Sequence, residues 1–422
     1  MRRFLYLFII IAVIALVVLI GYFLRERANV NEGGATGNLP PVPSGQFPKP
    51  PPGTSPGSPA SPGGALPPTT FLGQKFGVIA QNKVLSFFVD DQNNTTLVQP
   101  DGQVVRVVSG EASVLSSSAI VNLREARFSY DGKRILAVFG DQSSLQASIF
   151  DVPNKSWQPL QSSFRSPAWS PNSYQIVYLF DKGDATVLTT LDTGNAKAKP
   201  QELIKLHLQD VSLSWPTQNK IIVSDKPSSF SFGSIWGFDV KLKTLSPLVE
   251  NKLGLESVWS GGAELGLIFS TDLTRRGGKL SLVDNKGNTL NDFAILTLPS
   301  KCAFDIRATQ PQTTSTVKAA TNTKTSTSTA AAADRFLYCA IPRDQNKFAA
   351  SQLPDDYEKR VLFAADDLFR INLNLGAPEA GSIEPVFSNS GQMLDITDVK
   401  IFNQNLFFIN RLDQKLYAVS LK

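Results

Sequence analysis

One histidine, two cysteines and a spaced series of aspartates are the residues of this 422-residue chain whose types could do chemistry. His207 is the single imidazole, so a two-histidine metalloprotease site is excluded, and any serine or cysteine triad would have to use it. It stands in Leu206-His207-Leu208, an alternating strand-like context that makes it an ordinary surface or rim residue. Asp90, Asp141, Asp181, Asp225, Asp272 and Asp344 recur through the chain, each expected at or just past the second strand of a repeating unit. Where a seventh would fall stands Arg411. Carboxylates gathered on one rim would suit a cation or a basic partner. A convergent pair would serve a glycosidase or lyase. The competing reading is turn chemistry, because an Asp side chain bonds the backbone two residues on. Lys182, Lys226, Arg275, Arg276 and Arg343 lie close by in sequence and would blunt an acidic field. Asp90-Asp91-Gln92-Asn93-Asn94 and Asp284-Asn285-Lys286-Gly287-Asn288 resemble fragments of calcium loops without the terminal Glu, so both read as turns. No phosphate loop, dinucleotide fingerprint or basic-aromatic strand face occurs. The reading is no cofactor, no metal, no nucleotide and no nucleic acid.

From Phe71 onward, short β-branched and aromatic runs alternate with Gly, Asp, Asn and Pro turns, which reads as all-β. A unit recurs: an apolar stub ending in an aromatic, a polar turn, then a second apolar strand. Phe128, Trp169, Trp215 and Trp259 mark the clear copies at spacings of 41, 46 and 44 residues. That is the length of one four-stranded propeller blade. The tryptophans then belong to core packing. Weaker copies hold Gly77 to Ala80 with Val84 to Val89, Cys302-Ala303-Phe304 with Phe336 to Ile341, and Asp398 to Phe402 with Leu406 to Asn410. The expected fold is therefore an all-β, seven-bladed β-propeller over 71–422, with six or eight blades as the neighbouring counts. The last copy is one strand short, and residues around Thr69 to Gln74 are expected to supply it.

Phe128-Ser129-Tyr130-Asp131-Gly132-Lys133-Arg134-Ile135 and Trp169-Ser170-Pro171-Asn172 resemble the WD40-like repeat of TolB-type bacterial propellers, an aromatic-Ser-Pro-Asp-Gly-Lys unit leading into an apolar strand. The resemblance covers about 71–422, with two close copies. It implies a fold and an interaction platform rather than a defined activity. A similar propeller caps prolyl-oligopeptidase-type hydrolases, but no Gly-x-Ser-x-Gly elbow occurs over 71–422; the string Gly53-Thr54-Ser55-Pro56-Gly57 stands in the proline-rich segment of 31–70, away from any strand-to-helix turn.

Cys302 and Cys339 flank 309–333, where 9 Thr, 3 Ser and 6 Ala in 25 residues read as a disordered insertion. With that segment set aside, the cysteines fall on paired strands of the sixth unit. A disulfide is expected to pin the hairpin at the base of the insertion. It would place the domain in an oxidising compartment; two buried free thiols are the alternative. A second insertion, Pro342 to Arg360, joins the second and third strands of that unit. It carries Arg343, Asp344, Asp356 and Tyr357 and reads as a partner-docking loop or a plain surface elaboration. Phe230 and Phe232, in a Ser-rich loop, are contact candidates for the same face.

Residues 1–30 contain the uncharged run Phe4 to Leu24, 21 residues long, enough to span roughly 30 Å as a helix. It reads as an uncleaved signal-anchor transmembrane helix, with a cleaved signal peptide as the alternative. Residues 31–70, with 12 prolines and 8 glycines, read as a disordered linker. The chain's formal charge of +5 falls to +2 over 71–422, so the basic balance says little about partners. The sequence thus predicts a single-pass membrane protein, N-terminus cytoplasmic and propeller extracytoplasmic. It would bind a protein or cell-envelope partner without catalysis; a propeller-type glycosidase or lyase with a carboxylate site is the alternative.

Overall fold

The computed structural model describes residues 74–421 apart from 142, 143, 161–163, 184, 209, 307–334 and 375–380. The apolar run of 1–30, the linker of 31–70 and the Thr-rich segment of 309–333 lie outside the described residues. No helix among the described residues is long and apolar enough to cross a membrane.

The described chain is built of antiparallel meanders, five four-stranded sheets and one of seven strands. The seven-stranded sheet is continuous through Thr244–Trp259, which pairs by its first part with Phe232–Asp239 and by its second with Leu265–Thr271. Each meander begins with a strand that faces its counterparts in the next sheets. Ser86–Val89, Leu123–Phe128, Arg165–Trp169 and Val211–Thr217 lie side by side in that order. Cys302–Ile306 continues the series to Ile396–Phe402. Phe402 returns to the first of them, its ring 5.8 Å from that of Phe88. The sheets therefore close a ring.

The closure differs from expectation by one strand. The missing strand of the last sheet is Phe76–Ala80, which pairs with Leu416–Ser420 in the register Phe76↔Val419. Gly77 to Ala80 therefore belong to the last sheet and not to the first unit, whose inner strand is Ser86–Val89. Both runs are apolar and half-alternating, so periodicity alone could not tell which sheet each joins.

Of the recurring aromatics, the three tryptophans are buried as core and Phe128 is half-buried. Trp169, Trp215 and Trp259 lie against neighbouring sheets, and the Trp169 Nε1 donates to the Arg127 carbonyl at 2.8 Å. The polar turn after Phe128 is held by its own side chains. Ser129 Oγ donates to Asp131 at 2.9 Å, and Asp131 accepts from the Lys133 backbone at 3.1 Å. Gly132 there has φ +70°, and a Cβ on it would sit 2.2 Å from the Phe88 ring. The motif is thus fixed by both backbone conformation and space.

Candidate functional site

In such a meander, the loops between second and third strands and the sheet-to-sheet connections open on one face; the hairpins joining first to second strands open on the other. On the first face lies the insertion of the sixth unit, between Arg335–Pro342 and Asp366–Asn372. It contains two short helices, α1 (Gln345–Ala350) and α2 (Asp355–Glu358). Phe348, Leu353, Tyr357 and Leu362 from this segment are buried in the core shared by the fifth and sixth units. Each such side chain stabilises by about 1.5–3 kcal/mol relative to exposure. The insertion is a cap packed across several sheets.

Its polar contacts reach the fourth unit as well as the fifth. Asp355 accepts from the Ser229 backbone at 2.6 Å and the Ser229 hydroxyl at 2.8 Å. Burial would raise the Asp355 pKa, but the Ser229 bonds and Lys359 outweigh it and hold the carboxyl below its usual range. The Gly277 N–H donates to the Ser351 carbonyl at 3.0 Å. Gly254, with φ +63°, lies so close beneath the cap that a Cβ would meet the Leu353 carbonyl at 2.9 Å.

Beneath the cap is a sealed ionic network. Lys301 Nζ lies 2.7 Å from Asp366 and 3.0 Å from Asp395, all three side chains closed to solvent. Arg411 pairs with Asp395 at 2.8 Å and donates to the carbonyls of Tyr357 and Leu362. The Tyr357 ring contacts both cations, 4.7 Å from Lys301 Nζ and 3.6 Å from the Arg411 guanidinium. Burial works against the Lys301 charge, but Asp366, Tyr357 and Asp395 together hold its pKa above the usual lysine value. Burial pushes the Asp366 carboxyl up, with Lys301 pulling the other way. Among the described residues, Asp366 Oδ1 has no hydrogen-bond partner. Charged residues sealed this way are spent on each other and on the cap, not offered to a ligand.

The expected series of aspartates is broken up. Asp90 follows the first strand of its sheet, not the second, and so lies on the opposite face, beside Asn403. The position it was expected to fill belongs to the turn at Asp101, after Thr95–Val98. Asp90 accepts from the Gln92 and Asn94 backbones at 3.0 and 2.8 Å and pairs with Arg106 at 2.9 Å. The other five lie on the capped face, each in its own contacts. Asp141 accepts from Asn122 at 3.4 Å, and Asp181 pairs with Arg165 and accepts from Thr186. Asp225 accepts from the Ser234 backbone at 2.8 Å, and burial raises its pKa. Asp272 accepts from the Thr274 hydroxyl and backbone, which lower its pKa, and Asp344 caps α1 through the Lys347 backbone at 2.8 Å. These are turn and cap geometries, and they do not bring the carboxylates together.

Two other carboxylates do interact. Glu256, on the inner part of Thr244–Trp259, accepts from the Ser300 backbone at 2.8 Å. Burial raises its pKa. Glu358 of the cap reaches the surface, yet crowding by the protein, Glu256 and Asp355 pushes its pKa up to about 7. Among the described residues, no three His, Cys, Asp or Glu are grouped to hold a metal.

The remaining candidates divide between structure and surface. Tyr357 is buried in the network, Asp356 accepts from the Gln352 backbone at 2.8 Å, and Arg343 pairs with Asp367 at 2.7 Å. Phe230, Phe232, Arg275 and Arg276 are exposed. Phe230 lies 5.1 Å under Arg275 and 5.8 Å under Lys359, so three loops meet at its ring. Cys302 and Cys339 form the expected disulfide, directly opposite in register with Cα atoms 4.1 Å apart. Four residue pairs separate it from the Thr-rich segment, so it pins the far end of the hairpin, next to Lys301, rather than the base of the insertion.

Oligogalacturonate lyase from Vibrio parahaemolyticus superposes with a TM-score of 0.52 at 8% identity, covering 82% of this chain and 93% of that one. The closed ring of antiparallel meanders makes the fold a β-propeller. The propeller is also similar to the β-propeller domain of the Trilobed protease from Pyrococcus furiosus, with a TM-score of 0.47, 14% identity and coverage of 81% and 97%. TolB from Acinetobacter baumannii aligns at 16% identity and a TM-score of 0.38, over 50% of this chain and 54% of that one, so the chain spans about half of that TolB. No protein-family model and no curated protein matches the sequence. Propellers of this kind occur in both binding proteins and enzymes, so what this one does has to be argued from its own surface.

Proposed function

We propose that the chain is a membrane-anchored, extracytoplasmic propeller of seven blades that serves as a protein-binding or cell-envelope scaffold. The blade count takes Thr244–Trp259 as two strands, the outer strand of one blade and the inner strand of the next. The observation that carries the scaffold reading is the capped face. Its aspartates are held in separate turns and its buried charges are consumed by the cap, while aromatic and cationic side chains remain outside. The uncharged run Phe4 to Leu24 supports the anchor, and the buried Cys302–Cys339 bridge supports an oxidising compartment. The glycosidase or lyase alternative drew its carboxylates from the aspartate series, which the turns divide.

Crosslinking on intact cells followed by mass spectrometry tests the scaffold reading: one or more envelope proteins joined to the propeller are expected. Turnover of a glycan in a substrate screen, with no crosslinked protein, would overturn it. Protease added to intact and to permeabilised cells tests the placement. Cleavage of the 31–70 linker in intact cells is expected, and protection there would put the propeller inside.

A further inference from the structure

Near the cap, several acids are held in contacts within the protein while three arginines stand outward; Asp272 and Glu358 are the exposed acids beside them. Asp355 is buried against Ser229, Asp356 is folded back on the Gln352 backbone, and Asp272 is occupied by Thr274. Arg275, Arg276 and Arg360 are exposed, and none has a carboxylate partner among the described residues. Around them stand large apolar side chains that nothing among the described residues covers. Phe230 is 49% exposed, Phe232 62%, Val361 74% and Leu273 81%. Phe230 and Phe232 come from the fourth unit, Leu273 from the fifth and Val361 from the cap of the sixth. The contacts of Phe230 with Arg275 and Lys359 draw these segments to one place.

A patch of protruding apolar groups set among unpaired cations is complementary to negative charge interleaved with apolar side chains. Its position narrows the source. Strand Phe76–Ala80, where the preceding chain joins the propeller, starts on the opposite face, because Phe76 pairs with Val419 near the end of a third strand. The patch is therefore on the face away from the point of attachment.

We propose that this patch docks an acidic, partly apolar segment of a partner protein, with Leu273 and Val361 as apolar contacts and Arg275, Arg276 and Arg360 setting charge preference. The proposal rests on the scaffold reading and names the chemistry of its partner.

The test uses the full chain with Leu273→Cys carrying an environment-sensitive dye, the native cysteines being tied to each other. The probe is a synthetic peptide alternating Glu and Asp with Leu and Phe, compared with the same peptide bearing Lys for its acids. A saturable blue shift with the acidic peptide alone is expected. Arg275→Glu/Arg276→Glu/Arg360→Glu should weaken it by roughly tenfold or more, with an unchanged thermal midpoint because all three are exposed. Equal response to the Lys peptide, or none to either, overturns the proposal. So does a shift produced by phosphatidylglycerol nanodiscs in place of the peptide, which would make the patch a lipid contact. A shift that follows protein concentration alone would instead mean a second copy of this chain. Crosslinks in cells that survive the triple reversal would leave the scaffold reading standing and remove only this surface.

Discussion

Arg411 lays its guanidinium 3.6 Å above the ring of Tyr357 while pairing with Asp395 at 2.8 Å, joining the last sheet to the cap of the sixth unit. Arg411 occupies the position equivalent to an aspartate in most of the other units, so the departure from the repeat marks the place where the fold is tied together.

Arg411→Ala removes a buried cation and the donor to two cap carbonyls. A loss of about 3–5 kcal/mol is expected, the usual cost of leaving a buried charge without its partner. Urea unfolding measures it. Arg411→Lys should recover little, since an ammonium cannot both stack on Tyr357 and reach the same carbonyls. An effect below about 1 kcal/mol for the alanine variant would mean the network holds nothing.

Gly254→Ala should lift the cap. The added methyl meets the Leu353 carbonyl, and φ +63° disfavours any side chain. Destabilisation of about 1–3 kcal/mol is expected, with faster proteolysis in 343–365 than elsewhere. Unchanged cleavage of that segment would show that the cap is not seated on Gly254.

Stability should carry the signature of Glu358. Its pKa, raised from 4.5 to about 7 by crowding, Glu256 and Asp355, means the folded state holds a proton that the unfolded state has released. The stabilisation is complete below about pH 4.5, declines as pH rises towards 7 and is gone above it. Between pH 6 and 7 the thermal midpoint of the native chain is expected to fall, and that of Glu358→Gln to fall less. Parallel curves for the two would assign the slope to another group.

Dithiothreitol should not reach the Cys302–Cys339 bridge in the folded protein, because both residues are buried. Reduction is expected only with denaturant present. Cys302→Ser/Cys339→Ser should cost about 2–4 kcal/mol for a loop of this size. Thiol titration with and without urea separates the cases, and free thiols in the native protein would contradict the buried placement.

What could be read in the sequence was what repeats. Phe128, Trp169, Trp215 and Trp259 gave the period because each unit needs one bulky group at the same depth, and the Cys302–Cys339 pairing followed from strand order. What could not be read was what happens once. Lys301, Asp366, Asp395 and Arg411 are far apart in the chain, and charged side chains read as surface until the fold encloses them. The cap resembled an exposed loop because its buried groups are interleaved with Asp, Lys and Arg. Asp90 lies on the face opposite to the one its spacing predicts, because two neighbouring apolar runs, Phe76–Ala80 and Ser86–Val89, compete for the same place in the pattern.

The pairing of Phe76–Ala80 with Leu416–Ser420 also has a mechanical meaning. Because Phe76 lies against Val419, tension applied between those two residues would open the clasp from one end, one hydrogen bond at a time. Tension between Phe76 and something held on the capped face pulls the strand along its length and loads all of its bonds together. The ring is thus weak against being peeled at its seam and strong along the line from its point of attachment to its cap.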